Sequence, residues 1–354
     1  MASLTNIVKG GFHVFLNKLT RSRIPFEINI HIIDSCNLEC SYCYSNFYKR
    51  GNPWIPEEEI FRIADGFRKL GAIECSLIGG EPLLHPQFDR LADYITGRGM
   101  TCSTITNGYL VPKWIESLKK LDTVCVSLDG PEELNDITRG KGSFLKGAEA
   151  LQCLQENKVN RQIRVTLQKN NLGCVEEMFQ IAVKYGACLN FGLLFHQASE
   201  DGTEMGLSED LPEDEDYRKV LRQILDLKKR YPKVFINSLR NLSNALNWPA
   251  EFSKYELKPD ELKNYPAFDA IPCHGGKTFA TVDTNGKLYS CTNQIGYEPE
   301  APDIFEMEVE EAWNSLKSHR CKGSCFYISS VEKNLISELN IDAITNFFKV
   351  KRVN

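Results

Sequence analysis

The chain has 354 residues, of which 42% are hydrophobic and 25% are charged, the composition of an ordinary globular protein. A net charge of -5 and a pI of about 5.8 argue against nucleic-acid binding, which needs a basic surface. No apolar run approaches the roughly 20 residues of a membrane span, and the N-terminus shows no signal-peptide pattern. We therefore expect a cytoplasmic protein that neither spans a membrane nor binds nucleic acid.

The first predicted element is an N-terminal helix within residues 1–25. Five apolar residues recur there at helical spacing: Val8, Phe12, Phe15, Leu16 and Leu19. This spacing predicts a short amphipathic helix that packs on the domain through its apolar face.

Residues 26–200 alternate between two patterns, and this alternation predicts the fold class. Six β-rich runs cover 26–33, 74–79, 102–106, 123–128, 163–168 and 189–195. Helical patterns lie between them, at 56–71, 87–99, 112–120, 143–158 and 175–186. Strands that alternate with helices form right-handed βαβ units and a parallel sheet. Six such units predict an α/β fold, either a doubly wound sheet or a partial (β/α)6 TIM-like barrel, with ligands at the carboxyl ends of the strands.

Beyond residue 200 the regular alternation ends. Residues 201–265 are predicted as a helical linker that begins in an acidic loop and holds helices near 217–230 and 237–247. Residues 266–330 are predicted as a small β-hairpin/helix domain, because "TFATVDTNGKLYSC" reads as two short strands joined at Asn285-Gly286. A C-terminal helix is predicted for residues 331–354.

Thirteen cysteines are many for a chain that does not look like a small secreted disulfide protein. Three of them, Cys36, Cys40 and Cys43, have the spacing C-x3-C-x2-C in "CNLECSYC", directly after the first predicted strand. The spacing alone leaves open a zinc knuckle, part of a disulfide framework, or the binding loop of an iron–sulfur cluster. A structural zinc site usually has four protein ligands, whereas three thiolates on a [4Fe–4S] cluster leave one iron open.

This loop resembles the signature of the radical S-adenosylmethionine (SAM) superfamily. The resemblance implies that the three cysteines bind a [4Fe–4S] cluster and that SAM chelates its fourth iron. It further implies that an electron from the cluster cleaves SAM, and that the resulting 5′-deoxyadenosyl radical abstracts a hydrogen atom from the substrate.

Other motifs at the predicted strand ends fit the same family. "GGEP" follows the second strand, "TNG" the third and "SLDG" the fourth, and "RGKGSF" comes shortly after. The resemblance implies that Tyr42 lies near adenine, that Glu81 receives the SAM ammonium, and that serine and arginine bind its carboxylate, for which an arginine fork is well shaped. The implied SAM contacts are Tyr42, Gly79, Gly80, Glu81, Asn107, Ser127, Asp129, Arg139 and Leu194.

A second set of cysteines lies in the C-terminal region: Cys273, Cys291, Cys321 and Cys325. The first two bracket the predicted hairpin, whose fold brings its ends together. The set resembles the auxiliary-cluster region of radical SAM enzymes with twitch or SPASM domains, and it implies a second [4Fe–4S] cluster bound by four thiolates. The closing spacing is C-x3-C instead of the usual C-x2-C, and a four-cysteine zinc site stays open as the alternative.

The sequence says less about the substrate. Only about 25 residues precede the first strand, too few for a leader-recognition domain, and the cysteine count is below that of a full SPASM domain. We therefore expect a small-molecule substrate of the aminoglycoside, nucleoside or sugar type, with a peptide (RiPP maturation) as the alternative. An electron donor such as flavodoxin or ferredoxin is expected. Thr292 stands where sulfatase-maturing relatives have aspartate, which argues against that activity.

The outcome of the radical step determines which catalytic residues are needed. Epimerisation requires a thiol that returns a hydrogen atom, for which Cys174 and Cys188 are the candidates near the predicted barrel mouth. Oxidation requires a base, for which His196 is the candidate. Two other classes remain open, a non-catalytic zinc protein and an iron–sulfur carrier that does not use SAM.

Overall fold

The first half of the chain forms a parallel sheet because short apolar strands alternate with amphipathic helices. The computed structural model describes residues 4–20, 22–43, 54–194, 210–298, 300–316 and 323–350, except for the side chains of 4–9, 348 and 349. In chain order the elements of this half are α1 (Leu4–Thr20), β1 (Glu27–Ile33), α2 (Glu57–Leu70), β2 (Glu74–Gly79), α3 (Phe88–Gly97), β3 (Thr101–Thr106), α4 (Val111–Leu118), β4 (Thr123–Ser127), α5 (Glu132–Arg139), α6 (Ser143–Glu156), β5 (Arg161–Leu167), α7 (Val175–Lys184) and β6 (Cys188–Leu193).

Strands β1 to β6 are all parallel and lie in the order β6-β5-β4-β3-β2-β1. Side chains from each of the six strands line one cavity of about 650 Å³, so the sheet curves around it. Examples are Asn29, Ser76, Ser103, Cys125, Arg164 and Asn190. The predicted partial (β/α)6 barrel is confirmed, and its polar inner face explains why these strands are not uniformly apolar.

The second half supplies helices and a small hairpin. Its elements are α8 (Asp214–Arg230), α9 (Leu239–Leu246), β7 (Glu256–Leu257), α10 (Pro259–Leu262), β8 (Phe279–Val282), β9 (Leu288–Tyr289), α11 (Val309–Ser315), β10 (Ser324–Cys325), α12 (Ile328–Ser337) and α13 (Ile341–Val350). Strands β8 and β9 pair antiparallel as predicted, and Gly286 takes the positive φ of +81° that the turn needs. Strand β8 also pairs in parallel with β1, which extends the barrel sheet to eight strands.

The C-terminal region differs from the single helix predicted for 331–354. It contains two helices, α12 and α13, separated by a turn in which Leu339 has a φ of +58°. Asn340 then accepts a hydrogen bond from the Ala343 backbone N–H at 3.1 Å, as a helix N-cap does. Helix α12 lines the cavity with Ser329, Lys333 and their neighbours, so it closes part of the barrel.

Helix α1 packs through a different face from the one predicted. Phe12, Phe15 and Leu19 are 57%, 52% and 70% exposed, so their expected burial is wrong. Val14 is buried instead, and a side chain at Gly10 would come within 2.6 Å of Ile73. The small residue lets the helix lie close to the barrel, and this close approach determines which face is buried. Of the helices that the structure describes, none is long and apolar enough to cross a membrane.

Candidate active site at the cysteine loop

The cysteine loop follows β1 and lies at the mouth of the cavity. Cys36, Cys40 and Cys43 are each partly buried and line that cavity. Burial, together with the nearby charges of Glu81, Cys40 and Cys43, raises the pKa of the Cys36 thiol to about 12. A backbone hydrogen bond of 3.1 Å from the Cys43 N–H to the Cys40 carbonyl closes the turn. The three thiols are therefore neighbours on one short loop.

The glycines of "GGEP" let the turn after β2 pack on the backbone of the cysteine loop. The Gly80 N–H donates to the Ile33 carbonyl and the Glu81 N–H to the Ser35 carbonyl, both at 2.8 Å. A Cβ on Gly80 would lie 2.6 Å from the Ser35 carbonyl carbon, and one on Gly79, whose φ is +144°, would clash with the Ile33 carbonyl oxygen. The absence of side chains at these two glycines thus lets the backbone approach the loop that carries the thiols closely.

Glu81 joins the turns after β2 and β3. Its buried carboxylate accepts hydrogen bonds from the Leu83 N–H, the Thr106 hydroxyl and the Asn107 N–H, at 3.1, 2.7 and 2.7 Å. Burial raises the pKa of Glu81 to about 7 against the lowering effect of these bonds. The Asn107 side chain in turn donates to the Asn37 side-chain oxygen at 2.7 Å. Glu81 and Asn107 therefore fix the cysteine loop against two strand ends.

Asp129 and Arg139 form a buried ion pair beside the loop. Asp129 Oδ2 accepts from Arg139 Nε and from the Tyr42 hydroxyl, both at 2.6 Å, and Oδ1 accepts from the Thr166 N–H at 2.8 Å. Burial alone would lower the pKa of Arg139, but the Asp129 charge raises it well above its ordinary value. Arg139 Nη1 lies 4.0 Å from Cys40 Sγ. The arginine expected to bind a SAM carboxylate thus already has an internal carboxylate partner.

The remaining implied SAM contacts also lie at the cavity. Ser127, the last residue of β4, is half-buried and lines it. Leu194 lines it just after β6, and the Leu194 carbonyl accepts a hydrogen bond of 3.2 Å from the Tyr217 hydroxyl. Eight of the nine implied contacts are therefore on the cysteine loop or the strand-end segments that adjoin it, and the ninth, Arg139, is the last residue of α5.

The candidate residues for the radical step lie away from the cavity lining or outside the described residues. Cys188 begins β6, so it lies at the amino end of that strand and not near the barrel mouth. The Cys174 thiol donates to the Asn171 carbonyl at 2.9 Å, and neither thiol is among the described residues that line the cavity. His196 lies outside the described residues. A thiol that does line the cavity is Cys125, which the two-residue period of β4 places on the same face as Ser127.

The structure brings together part of the second cysteine set. Burial raises the pKa of Cys291, and the charge of Cys273 adds to this. The Gly276 N–H donates to the Ser290 carbonyl at 3.2 Å, so the segments that carry Cys273 and Cys291 adjoin. The Cys273 N–H donates to the Gly323 carbonyl at 3.1 Å, which places the segment leading to Cys325 beside it. Cys321 lies outside the described residues. Within the described ranges no three His, Cys, Asp or Glu side chains are grouped closely enough to hold one metal ion.

Comparison with known proteins connects this arrangement to a family. Residues 30–182 match the model of the Radical SAM superfamily. Mycofactocin maturase MftC of Mycobacterium ulcerans is 32% identical over 170 residues, which are 47% of this chain and 46% of the maturase. AdoMet-dependent heme synthase of Methanosarcina barkeri is 26% identical over 327 residues, 87% of this chain and 89% of the synthase. This chain thus spans less than half the length of the maturase that it matches.

A solved structure extends the comparison to the fold. Streptococcus suis SuiB bound to precursor peptide SuiA has a TM-score of 0.65 at 18% identity, over 85% of this chain and 67% of SuiB. The family match begins within β1 and ends within α7, so it includes the cysteine loop, the three strand-end motifs and the "RGKGSF" motif. Residues 30–182 therefore match the radical SAM family, in agreement with the motifs at the strand ends of this region.

Proposed function

We propose that this chain is a radical SAM enzyme that modifies a peptide. The observation that carries the proposal is the convergence of three neighbouring thiols, the Glu81–Asn107 connection and the Asp129–Arg139 pair around one cavity at the carboxyl ends of the strands. A parallel α/β barrel binds its ligands at this end. A cavity of about 650 Å³ is also within the usual range for cofactor and substrate sites.

The residues at this mouth fit an iron–sulfur cluster. Cys36, Cys40 and Cys43 would hold it as thiolates, which leaves one coordination position for SAM. Burial raises the pKa of the Cys40 thiol, and the positive charge of Arg139 opposes part of that rise. When bound, the cluster would supply the electron for reductive cleavage of SAM, and the resulting 5′-deoxyadenosyl radical would abstract a hydrogen atom from the substrate.

The chain's own residues would orient SAM in this cavity. Glu81 Oε2 accepts one hydrogen bond, from Asn107, and so has a second lone pair for the SAM ammonium. Ser127 offers a hydroxyl at the end of β4, and Leu194, which lines the cavity just after β6, would contact the adenine. The polar contacts would fix the methionine end of SAM, while the buried wall keeps water from the reacting carbon.

We further propose that residues 266–330 hold an auxiliary [4Fe–4S] cluster through Cys273, Cys291, Cys321 and Cys325. Two backbone hydrogen bonds support this set, because Gly276 to Ser290 joins the segments of Cys273 and Cys291, and Cys273 to Gly323 brings the segment leading to Cys325 beside them. Such a cluster would accept or relay an electron. A cytoplasmic flavodoxin or ferredoxin would be the external donor.

The substrate class proposed here differs from the small molecule expected from the sequence, because the comparisons favour the peptide alternative. MftC is named a maturase, and SuiB is solved with a precursor peptide. A second candidate also has support, because the heme synthase match covers 87% of this chain and 89% of the synthase. That candidate is a tetrapyrrole substrate.

The test is turnover by the anaerobically reconstituted protein with SAM and dithionite. We expect 5′-deoxyadenosine, and a mass change in a candidate precursor peptide that does not occur with the Cys40→Ala variant. A mass change in a tetrapyrrole instead selects the second candidate. If a preparation with its full iron content forms no 5′-deoxyadenosine, the enzyme proposal fails.

A further inference from the structure

Three cationic side chains of the described chain line the barrel cavity, and they differ in their partners. Arg139 pairs with Asp129, whose side chain is fully buried. Lys333 pairs with Glu27, which is 8% exposed. Arg164 has no ion-pair partner among the residues that the structure describes. Of the three cations, Arg164 is therefore the one whose charge remains available to a ligand.

Two neutral side chains hold Arg164 in place. Its Nη1 donates to Asn190 Oδ1 at 2.8 Å, across the β5–β6 pair, and to the Ser329 hydroxyl on α12 at 3.2 Å. These contacts use the hydrogens of one terminal nitrogen and supply no negative charge. The other edge of this half-buried guanidinium faces the cavity and stays available to hydrogen-bond an anion.

The neighbouring strand leaves space for this guanidinium. On β6, Gly192 lies directly under it, and a Cβ on Gly192 would come within 2.6 Å of Arg164 Cζ. Any other residue at 192 would therefore displace the charged group. Ser127 lies opposite Arg164 in the β4–β5 register and also faces the cavity. Gly192 thus leaves space for the guanidinium, and Ser127 on the adjacent strand offers a hydroxyl donor.

We propose that Arg164, and not Arg139, is the residue that binds a carboxylate inside the cavity. The guanidinium fork matches a carboxylate in shape and charge, and the Ser127 hydroxyl can add a hydrogen bond. The ligand chemistry is a carboxylate from one of two sources, the methionine end of SAM or an acidic group of the substrate. This inference rests on the proposed function, because both sources enter the cavity in that reaction.

The test measures equilibrium binding to the reconstituted protein, so it does not depend on turnover. One pair of probes is SAM and decarboxylated SAM, and the other is N-acetylglutamate amide and N-acetylglutamine amide. We expect Arg164→Gln to weaken binding of the acidic member of one pair by about 10- to 100-fold, the usual effect of losing a charged hydrogen bond. Binding of the neutral member of that pair should not change. The pair affected identifies the source of the carboxylate.

Two further variants keep the test independent of folding. Gly192→Ala retains the charge but displaces the guanidinium, so it should lose the same preference for the acidic probe over the neutral one. Arg98→Gln removes an exposed surface charge and should bind all the probes as wild type does. The proposal is overturned if Arg164→Gln leaves both acidic probes unaffected, or if Gly192→Ala binds them like the wild type. If the protein forms no 5′-deoxyadenosine but still distinguishes the acidic from the neutral probes, the result counts against the proposed function alone.

Discussion

The buried pair of Asp129 and Arg139 gives the sharpest prediction for stability. The side chains are 0% and 9% exposed, and Asp129 accepts three hydrogen bonds, from Arg139, Tyr42 and the Thr166 backbone. Asp129→Asn keeps the shape of the side chain but removes its charge. If the new amide nitrogen faces Arg139, two hydrogen-bond donors also point at each other.

The cost follows from the charge that is left behind. Removing one partner of a buried ion pair costs about 3–5 kcal/mol, because the other charge stays buried without compensation. We expect Asp129→Asn to lower the free energy of unfolding by that amount. The exposed pair of Asp65 and Arg98 is the matched control, since both side chains are more than 40% exposed and Asp65→Asn should cost less than about 1 kcal/mol.

The assay is urea-induced unfolding of the reduced apoprotein, followed by circular dichroism. The double variant Asp129→Asn/Arg139→Met closes a double-mutant cycle, and we expect it to be more stable than the sum of the single changes predicts. A loss below about 1 kcal/mol for Asp129→Asn, or additive single changes, would refute the assignment of a buried ion pair at this position.

Three other changes test separate parts of the structure by the same unfolding assay. Gly80→Ala should cost about 1–3 kcal/mol and reduce iron retention, because the added methyl meets the Ser35 backbone; normal iron content would count against the packing described here. Lys333→Met should cost about 3–5 kcal/mol by leaving Glu27 unpaired, and Glu27→Gln in the same chain should recover part of it. Burial raises the pKa of Glu332, so the folded state keeps its proton to higher pH than the unfolded state, whose carboxyl titrates near 4.3. Wild type should therefore lose stability relative to Glu332→Gln as pH rises above about 4, and a pH-independent difference would contradict this.

The parallel sheet of the barrel could be predicted because it depends on local pattern. Each β-rich run and the helix after it are adjacent in sequence, and the connection rule then fixes the parallel sheet. Strand β2 matches its predicted bounds, while the others shift by one or two residues. Helix α5 was not predicted, because its eight residues overlap the "DITRGKG" motif and offer only about two turns of pattern.

Contacts between distant segments could not be predicted in this way. The pairing of β8 with β1 joins residues about 250 positions apart, and no local signal marks it. The partner of Arg139 was missed for the same reason, since arginine in a cofactor motif suggests a ligand contact and not a pair with Asp129. Cys125 and Arg164 could have been found from the two-residue period of their strands, which places both on the inner face with Ser127.

The central claim is that the loop of Cys36, Cys40 and Cys43 holds the cluster that cleaves SAM. The most direct measurement is 5′-deoxyadenosine formation by reconstituted wild type and by the three single cysteine-to-alanine variants, with SAM and dithionite. Cys153→Ala is the control, because Cys153 is half-buried and lies on α6, away from the described cavity lining. We predict that wild type and the control form 5′-deoxyadenosine and that each loop variant forms none above background. Loop variants that cleave SAM at the wild-type rate would contradict the account.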